Sequence, residues 1–361
     1  MHLLAEAVPF PLGFHWDITQ ACNFRCNFCL TDAGRSAAGE LSASDKLSLV
    51  DRLFRAGVLY LKILGGEPFV LPEALDVMSY AASRGLFLLF STNGSRLSER
   101  VVAGLAAVRS SIRYLQVSLY GSSPEVLARV AGSPRHFAAV QGGLRRLRAH
   151  SLPFTVLSVL CVETLGDVLA LYRLARQQGA EAFRVTLKTD SGRGCRPSSY
   201  RRATTDGDWH ALAKVLTDLA AEQSDETPVA VQARPTLGQY VLRQFGLATY
   251  ASHCEAGVRY LYGDACGNLA PCPFLANPDA RTARSCLPSF PFHALRDDLV
   301  EVWRSPEFEQ FRALFRLDAN PAAFNRRCRH LGTQDCCPCV LSGCQCPEQV
   351  RRLRRGIASA D

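Results

Sequence analysis

Six short apolar runs alternate with amphipathic segments of helical length between residues 14 and 190. We predict strands at residues 14–18, 58–64, 86–90, 112–118, 154–161 and 182–187. Strands that are separated by helices pair in parallel, because parallel pairing needs a long crossover connection. Six units are too few to close an eight-stranded barrel, so the pattern predicts an α/β fold with an open, partial (β/α)6 barrel. Active sites of such folds lie beyond the carboxyl ends of the strands.

Helix start and stop signals mark individual elements, and a change in hydrophobic periodicity divides the chain into two parts. Ser42 and Asp45 have the spacing of a capping box, and Gly57 supplies a stop for the helix that they begin. Beyond residue 254 the periodicity weakens and cysteines crowd together, interrupted by one predicted helix at 299–315. We therefore predict a barrel domain at residues 1–235 and a smaller, cysteine-rich C-terminal domain at residues 236–361.

The chain has 15 cysteines among its 361 residues. The count is odd and the N-terminus has no basic, uninterrupted signal segment, so bound metal explains the cysteines better than disulfides do. No uncharged apolar stretch of the sequence is long enough to cross a bilayer, and we expect a cytoplasmic protein without a membrane partner. Thiolate ligands would cancel most of the formal charge of +8, so nucleic acid is not an expected partner.

Three of the cysteines, Cys22, Cys26 and Cys29, lie within eight residues directly after the first predicted strand. Three thiolates on a four-iron cubane leave one iron open for a ligand, whereas the alternative, a zinc knuckle, requires a fourth ligand. The spacing, with the aromatic Phe28 before the last cysteine, resembles the signature of the radical S-adenosylmethionine (SAM) superfamily. That resemblance implies a catalytic [4Fe–4S] cluster on the three cysteines, with Phe28 beside the cofactor, and reductive cleavage of SAM to a 5′-deoxyadenosyl radical.

Glycine-rich or polar residues end the next three predicted strands. In chain order they are Gly65, Gly66, Glu67, Pro68, Asn93 and Ser118. Taken alone, each segment is equally a turn or a helix cap. The first four residues resemble the superfamily's GGEP motif, whose backbone and acid meet the amino group of the methionine part of SAM. The same resemblance implies that Asn93 and Ser118 hold the nucleoside.

The C-terminal cysteines resemble the SPASM extension, which binds auxiliary iron–sulfur clusters. The first half, from Cys254 to Cys272, fits its pattern of a cysteine, a spacer, a glycine and a closing cysteine. The second half, from Cys336 to Cys346, departs from the pattern in the spacing of its cysteines. The resemblance implies one or two auxiliary [4Fe–4S] clusters on Cys254, Cys266, Cys272, Cys336, Cys339, Cys344 and Cys346. Cys286, Cys328 and Cys337 are further candidate ligands. The alternative is a structural zinc ribbon, since closely spaced thiolates also suit zinc.

SPASM proteins mostly modify ribosomally made peptides, so the resemblance implies hydrogen abstraction from a peptide precursor, followed by crosslinking, epimerisation or oxidation. One alternative is a dehydrogenase or epimerase that acts on a small natural product such as an aminosugar. Another is a non-catalytic, metal-bound interaction module. The implied partners are an electron donor such as flavodoxin or ferredoxin and a separate peptide-recognition protein, with direct binding of the peptide leader as the alternative to the latter. Pro273 stands where sulfatase-maturing members carry an acid, which argues against sulfatase maturation.

Overall fold

The computed structural model of the chain describes residues 8–188, 192–195, 206–232, 241–250, 255–276 and 289–313. Within these residues eleven strands form one sheet, in the order β11-β10-β9-β1-β2-β3-β4-β5-β6-β7-β8. The strands are β1 Gly13–Asp17, β2 Tyr60–Leu64, β3 Phe87–Thr92, β4 Ile112–Ser118, β5 Thr155–Leu160, β6 Ala182–Leu187, β7 Val229–Gln232, β8 Ala248–Tyr250, β9 Tyr260–Gly263, β10 Asn268–Ala270 and β11 Phe292–His293. The run from β9 through β1 to β8 is parallel, and β10 and β11 continue it in antiparallel pairing.

Helices join most of the parallel strands. They include α1 Ala43–Arg55, α2 Ala74–Ser83, α3 Glu99–Ala107, α4 Pro124–Ala131, α5 His136–Ala149, α6 Val162–Leu165, α7 Val168–Gln177, α8 Asp206–Glu222, α9 Pro273–Ala276, α10 Leu299–Trp303 and α11 Pro306–Ala313. Helix α1 begins with the predicted capping box between Ser42 and Asp45. Its Leu49 lies in one buried core with Phe14 and Trp16 of β1. No helix in the described ranges is long and apolar enough to span a membrane.

The six predicted strands are all present as β1–β6, each within two residues of its predicted bounds. The sheet goes beyond them, because β7, β8 and β9 lengthen the parallel run, and within the described residues it ends at β8 and β11 without closing. The prediction of a single helix over 299–315 is wrong: α10 ends at Trp303 and α11 begins at Pro306. A proline lacks the N–H that a continuous helix needs and disfavours the helical conformation of the residue before it.

The predicted domain boundary at residue 235 lies between β7 and β8, and strands that follow it join both ends of the sheet. Strand β9 pairs with β1 over four residues. Across this pair the hydroxyl of Tyr262 donates to the carboxyl group of Asp17 at 2.6 Å, and burial raises the pKa of Asp17 to about 7. A distinct cluster-binding domain at 236–361 stays a prediction, since residues 314–361 lie outside the described part of the chain.

Candidate active site

The loop after β1 carries Cys22, Cys26 and Cys29 and is fixed by backbone hydrogen bonds. The N–H of Cys22 donates to the carbonyl of Gly34 at 2.9 Å, and the N–H of Arg25 donates to the carbonyl at the end of α4 at 3.1 Å. All three cysteines are free and half-buried. The loop therefore presents three thiols on a backbone that is closed on itself by the bond to Gly34 and is tied to α4.

The two glycines after β2 allow this loop to lie directly against the strand end. Gly65 has a φ of +109°, and a Cβ there would meet the carbonyl oxygen of Thr19 at 2.5 Å. A Cβ on Gly66 would lie only 2.0 Å from the carbonyl oxygen of Ala21. At the same contact the N–H of Gly66 donates a hydrogen bond to the carbonyl oxygen of Thr19 at 2.8 Å. Glycine is required here because any side chain would separate the two segments.

The carboxyl ends of the strands and the cysteine loop enclose a cavity of about 540 Å³, which we call the strand-end cavity. Its lining includes Cys22, Cys26, Phe28, Cys29, Gly65, Gly66, Asn93, Ser118, Tyr120 and Cys272. The volume lies within the range of roughly 300–1,000 Å³ that is usual for ligand and cofactor sites. The structure thus brings together at one cavity the cysteine triad, both glycines and both nucleoside candidates that the sequence predicts.

Glu67 is fully buried, and its carboxyl group faces the end of β3. It accepts hydrogen bonds from the Thr92 hydroxyl (2.7 Å), the Asn93 N–H (2.6 Å) and the Phe69 N–H (3.3 Å). Burial raises its pKa to about 7, against the opposing effect of these donors. The carboxyl group therefore fastens the glycine segment to β3. Direct contact of Glu67 with a ligand stays a prediction, as does any role of the buried Pro68.

Asn93 and Ser118 reach the cavity from β3 and β4, and both have neighbours inside the protein. The side chain of Asn93 donates to Asn23 of the cysteine loop at 3.0 Å. Ser118 lies near the Tyr120 hydroxyl and lowers its pKa, although burial has the larger and opposite effect. The ring of Tyr120 meets Phe28 edge to face, with centroids 4.9 Å apart. These contacts couple the two strand ends to the loop that carries the thiols.

Two of the three thiols, those of Cys22 and Cys26, lie in a setting that favours their protonated form when no metal is bound. Burial raises the pKa of Cys22 to about 11 and also raises the pKa of Cys26. A bound metal reverses this, because the thiolate is the ligand form. Among the described residues, no three His, Cys, Asp or Glu side chains converge on the position of a single metal ion. Three thiols on one loop are a donor set that fits a cubane cluster, in which each cysteine binds a different iron.

Arg193 was not singled out by the sequence, and it is the side chain that braces the cysteine loop from the segment after β6. Its guanidinium donates to the carbonyl of Cys26 (2.7 Å), to the carbonyl of Ala33 (2.9 Å) and to the carboxylate of Asp32 (2.7 Å). Its own N–H donates to the carbonyl of Cys29 at 2.9 Å. The only sequence signal was its place in a glycine-flanked loop after a predicted strand.

A family comparison agrees with this arrangement of loop, strand ends and cavity. Residues 16–175 match the sequence model of the family described as the radical SAM superfamily. Residues 16–175 form a radical SAM domain. The match begins in β1 and ends in α7, so it includes the cysteine loop and the ends of β1 to β5.

Relatives of this radical SAM domain differ in what their names describe. The chain is 36% identical over 185 residues to the mycofactocin maturase MftC of Mycobacterium ulcerans, which covers 51% of this chain and 49% of MftC. The chain thus spans about half the length of that relative. It is 24% identical over 270 residues to an AdoMet-dependent heme synthase of Methanosarcina barkeri, covering 72% of this chain and 76% of that protein.

The fold extends beyond the radical SAM domain in one solved structure. SuiB of Streptococcus suis bound to S-adenosylmethionine superposes with a TM-score of 0.68, covering 94% of this chain and 74% of SuiB. The sequence identity is 17%, so the likeness concerns the fold.

The predicted auxiliary ligands are described only in part. Cys272 is buried and lines the strand-end cavity next to Pro273. Cys266 lies at the other end of β10, in the turn from β9, with its sulfur 3.6 Å from the carbonyl of Ala38. Outside the described residues lie Cys254, Cys286, Cys328, Cys336, Cys337, Cys339, Cys344 and Cys346. The auxiliary clusters stay a prediction.

Proposed function

We propose that this chain is a radical SAM enzyme that modifies a ribosomally made peptide precursor. The observation that carries the proposal is the convergence of Cys22, Cys26 and Cys29 with Gly65 and Gly66 on one cavity of a radical SAM domain. The three thiols would hold a [4Fe–4S] cluster. When bound, that cluster supplies the electron for reductive cleavage of SAM to methionine and a 5′-deoxyadenosyl radical, which abstracts hydrogen from the substrate.

The chain's own residues then position SAM and shield the cavity. Gly65 and Gly66 offer close backbone contact to the methionine part, and Glu67 holds this segment against β3. Ser118 and Asn93 face the cavity where a ribose or a base would lie. The rings of Phe28 and Tyr120 exclude water from that end, which limits quenching of a reactive radical by solvent.

Two comparisons support a peptide as the substrate. One relative is named a maturase, and SuiB has also been solved bound to its precursor peptide SuiA. The proposal includes an electron donor such as flavodoxin or ferredoxin and a separate peptide-recognition protein. It also includes one or two auxiliary clusters, which the position of Cys272 on the cavity wall supports.

A small-molecule substrate is the second candidate. The relative named a heme synthase matches a larger part of this chain than the maturase does, at lower identity. This match favours a reaction on a small molecule, in line with the alternative of a dehydrogenase or epimerase.

The test uses the full chain, reconstituted with iron and sulfide under anaerobic conditions and supplied with SAM and a reductant. Wild-type protein should produce 5′-deoxyadenosine. The triple variant of Cys22, Cys26 and Cys29 to alanine should produce none and should lose about four irons. Cys161→Ala is the matched control, because Cys161 is a buried cysteine that directly follows β5 and does not line the strand-end cavity. Its thiol lies 3.5 Å from the hydroxyl of Thr164 in α6. A triple variant that still forms 5′-deoxyadenosine would refute the proposal.

The substrate class is decided by a second measurement. Any short, precursor-type peptides found encoded beside the gene are incubated with the active enzyme and examined by mass spectrometry. A mass change in a peptide supports peptide modification. Turnover of a small molecule with no change in any such peptide favours the second candidate.

A further inference from the structure

The inner wall of the strand-end cavity carries two cations and an imidazole below the cysteine loop. His15 and Lys62 are register partners on β1 and β2, and both line the cavity. Arg184 lies on the same face of β6 as the cavity-lining Thr186, because Phe183 on the alternate position is buried in the core. Three strand positions therefore turn basic side chains toward one space.

Lys62 is a half-buried cation that makes no hydrogen bond or ion pair with the residues that the structure describes. Burial lowers the pKa of its ammonium group, and the charge of Arg184 adds to this effect. The carboxylate that acts on it is Glu255, which is exposed and lies 3.7 Å from Arg259. An ammonium group placed in this way destabilises the fold unless a ligand compensates its charge.

The groups around Lys62 do not supply that compensation. The ring of His15 stacks on Tyr260 with centroids 3.6 Å apart, and burial lowers its pKa well below the usual value. The guanidinium of Arg184 donates to the Tyr114 hydroxyl at 2.5 Å. The wall therefore combines a neutral imidazole with two positive charges. The lining carboxyl group of Asp17 is held by the Tyr262 hydroxyl, and burial raises its pKa to about 7, so the potential near Lys62 favours an anion.

We propose that Lys62 binds a carboxylate group of the substrate inside the strand-end cavity. Lys62 lies three residues before Gly65, about 10 Å along an extended strand, and so below the segment proposed for the methionine part of SAM. An unmodified peptide offers carboxylates at its C-terminus and on aspartate or glutamate side chains. This inference rests on the proposed peptide substrate and names a feature that the peptide must carry.

The experiment measures binding by ligand-observed NMR, with the anaerobically reconstituted full chain and SAM. One probe pair is acetyl-trialanine with a free C-terminal carboxylate and its C-terminal amide. The other is an N-acetylated, C-terminally amidated tripeptide with glutamate or with glutamine at its centre. The variants are Lys62→Met and Lys62→Arg. Lys214→Met is the control, since Lys214 is exposed on α8 and pairs with Asp218 at 2.9 Å.

In at least one pair the wild type should bind the carboxylate form about tenfold more tightly than the amide, as expected for a charge-assisted hydrogen bond. Lys62→Met should lose this ratio, while Lys62→Arg and Lys214→Met should keep it. The pair that shows the preference identifies a terminal or a side-chain carboxylate. Equal binding of all four peptides to the wild type would overturn the inference, as would a preference that survives in Lys62→Met.

Two further readouts separate this role from others. Removal of an uncompensated charge should leave the melting temperature of Lys62→Met equal to or above that of the wild type, and a large decrease would indicate a structural role instead. A loss of SAM affinity as large as the loss of peptide affinity would assign Lys62 to SAM and overturn the inference. A wild type that binds carboxylates but never cleaves SAM would refute the proposed function alone.

Discussion

At the residue scale, Arg193 is placed to brace the proposed cluster site without being one of its ligands. Its guanidinium carries a fixed positive charge and contacts two carbonyls of the cysteine loop. That charge lowers the pKa of the Cys26 thiol, although burial has the larger and opposite effect. Groups that orient metal ligands in this way are worth about 10- to 100-fold in metal affinity.

We predict that Arg193→Gln will retain the fold but lose iron to a chelator at least about tenfold faster than the wild type, because the cysteine loop loses its brace. The measurement is the rate of iron loss to a chelator, together with the reduction potential. That potential should fall, since a nearby cation stabilises the more negative reduced cluster. Arg173→Gln is the control, because Arg173 is an exposed arginine of α7 that pairs with Glu222. Equal behaviour of the two variants would contradict this role.

At the scale of elements, the candidate active site depends on the contact between the end of β2 and the loop that follows β1. The two segments can lie this close because Gly66 has no side chain: the carbonyl oxygen of Ala21 occupies the space that a Cβ would need. Glu67 completes it by tying the same segment to the end of β3. Three consecutive strand ends are thus held in one arrangement.

We predict that Gly66→Ala will displace the cysteine loop, because the new Cβ would lie 2.0 Å from a backbone oxygen that cannot rotate away. Overpacking of this kind costs about 1–3 kcal/mol, and reconstituted iron and SAM cleavage should both decrease. Thermal melting and iron analysis measure the two effects. Gly166→Ala is the matched control, since Gly166 has a φ of −69° and no atom lies within 4 Å of the position that a Cβ would take there. Normal iron content in Gly66→Ala would show that the close approach is dispensable.

At the scale of the whole molecule, residues far apart in the chain complete one sheet. Strand β9 covers the open edge of β1, and Tyr262 hydrogen-bonds the buried Asp17. Farther along, the indole N–H of Trp303 donates to the carbonyl of Val8 at 2.7 Å. The first strand therefore depends on the last part of the described chain.

We predict that a fragment ending at residue 235 will not fold stably. It would leave the edge of β1 unpaired and uncover apolar surface that the later strands and helices bury. Soluble yield and the cooperativity of thermal unfolding, compared with the full chain, measure the outcome. A soluble fragment with a sharp transition would instead support an independent domain at 1–235.

The order of the first six strands and the position of the cysteine loop follow from local pattern in the sequence. Apolar runs separated by helices must pair in parallel, and that geometry gathers the residues after each strand at one edge. The sequence pattern alone therefore predicts Cys22, Gly65, Asn93 and Ser118 as neighbours, and all four line the strand-end cavity.

Other features were decided only by the tertiary structure. The pairing of β9 with β1 joins segments about 250 residues apart and depends on burial that no local window contains. The burial of Glu67 against Thr92, the brace of Arg193 and the effect of the Arg184 charge on Lys62 are likewise relations between distant residues. A sequence pattern specifies which face of a strand a side chain occupies, but its partners across the cavity exist only after the chain has folded.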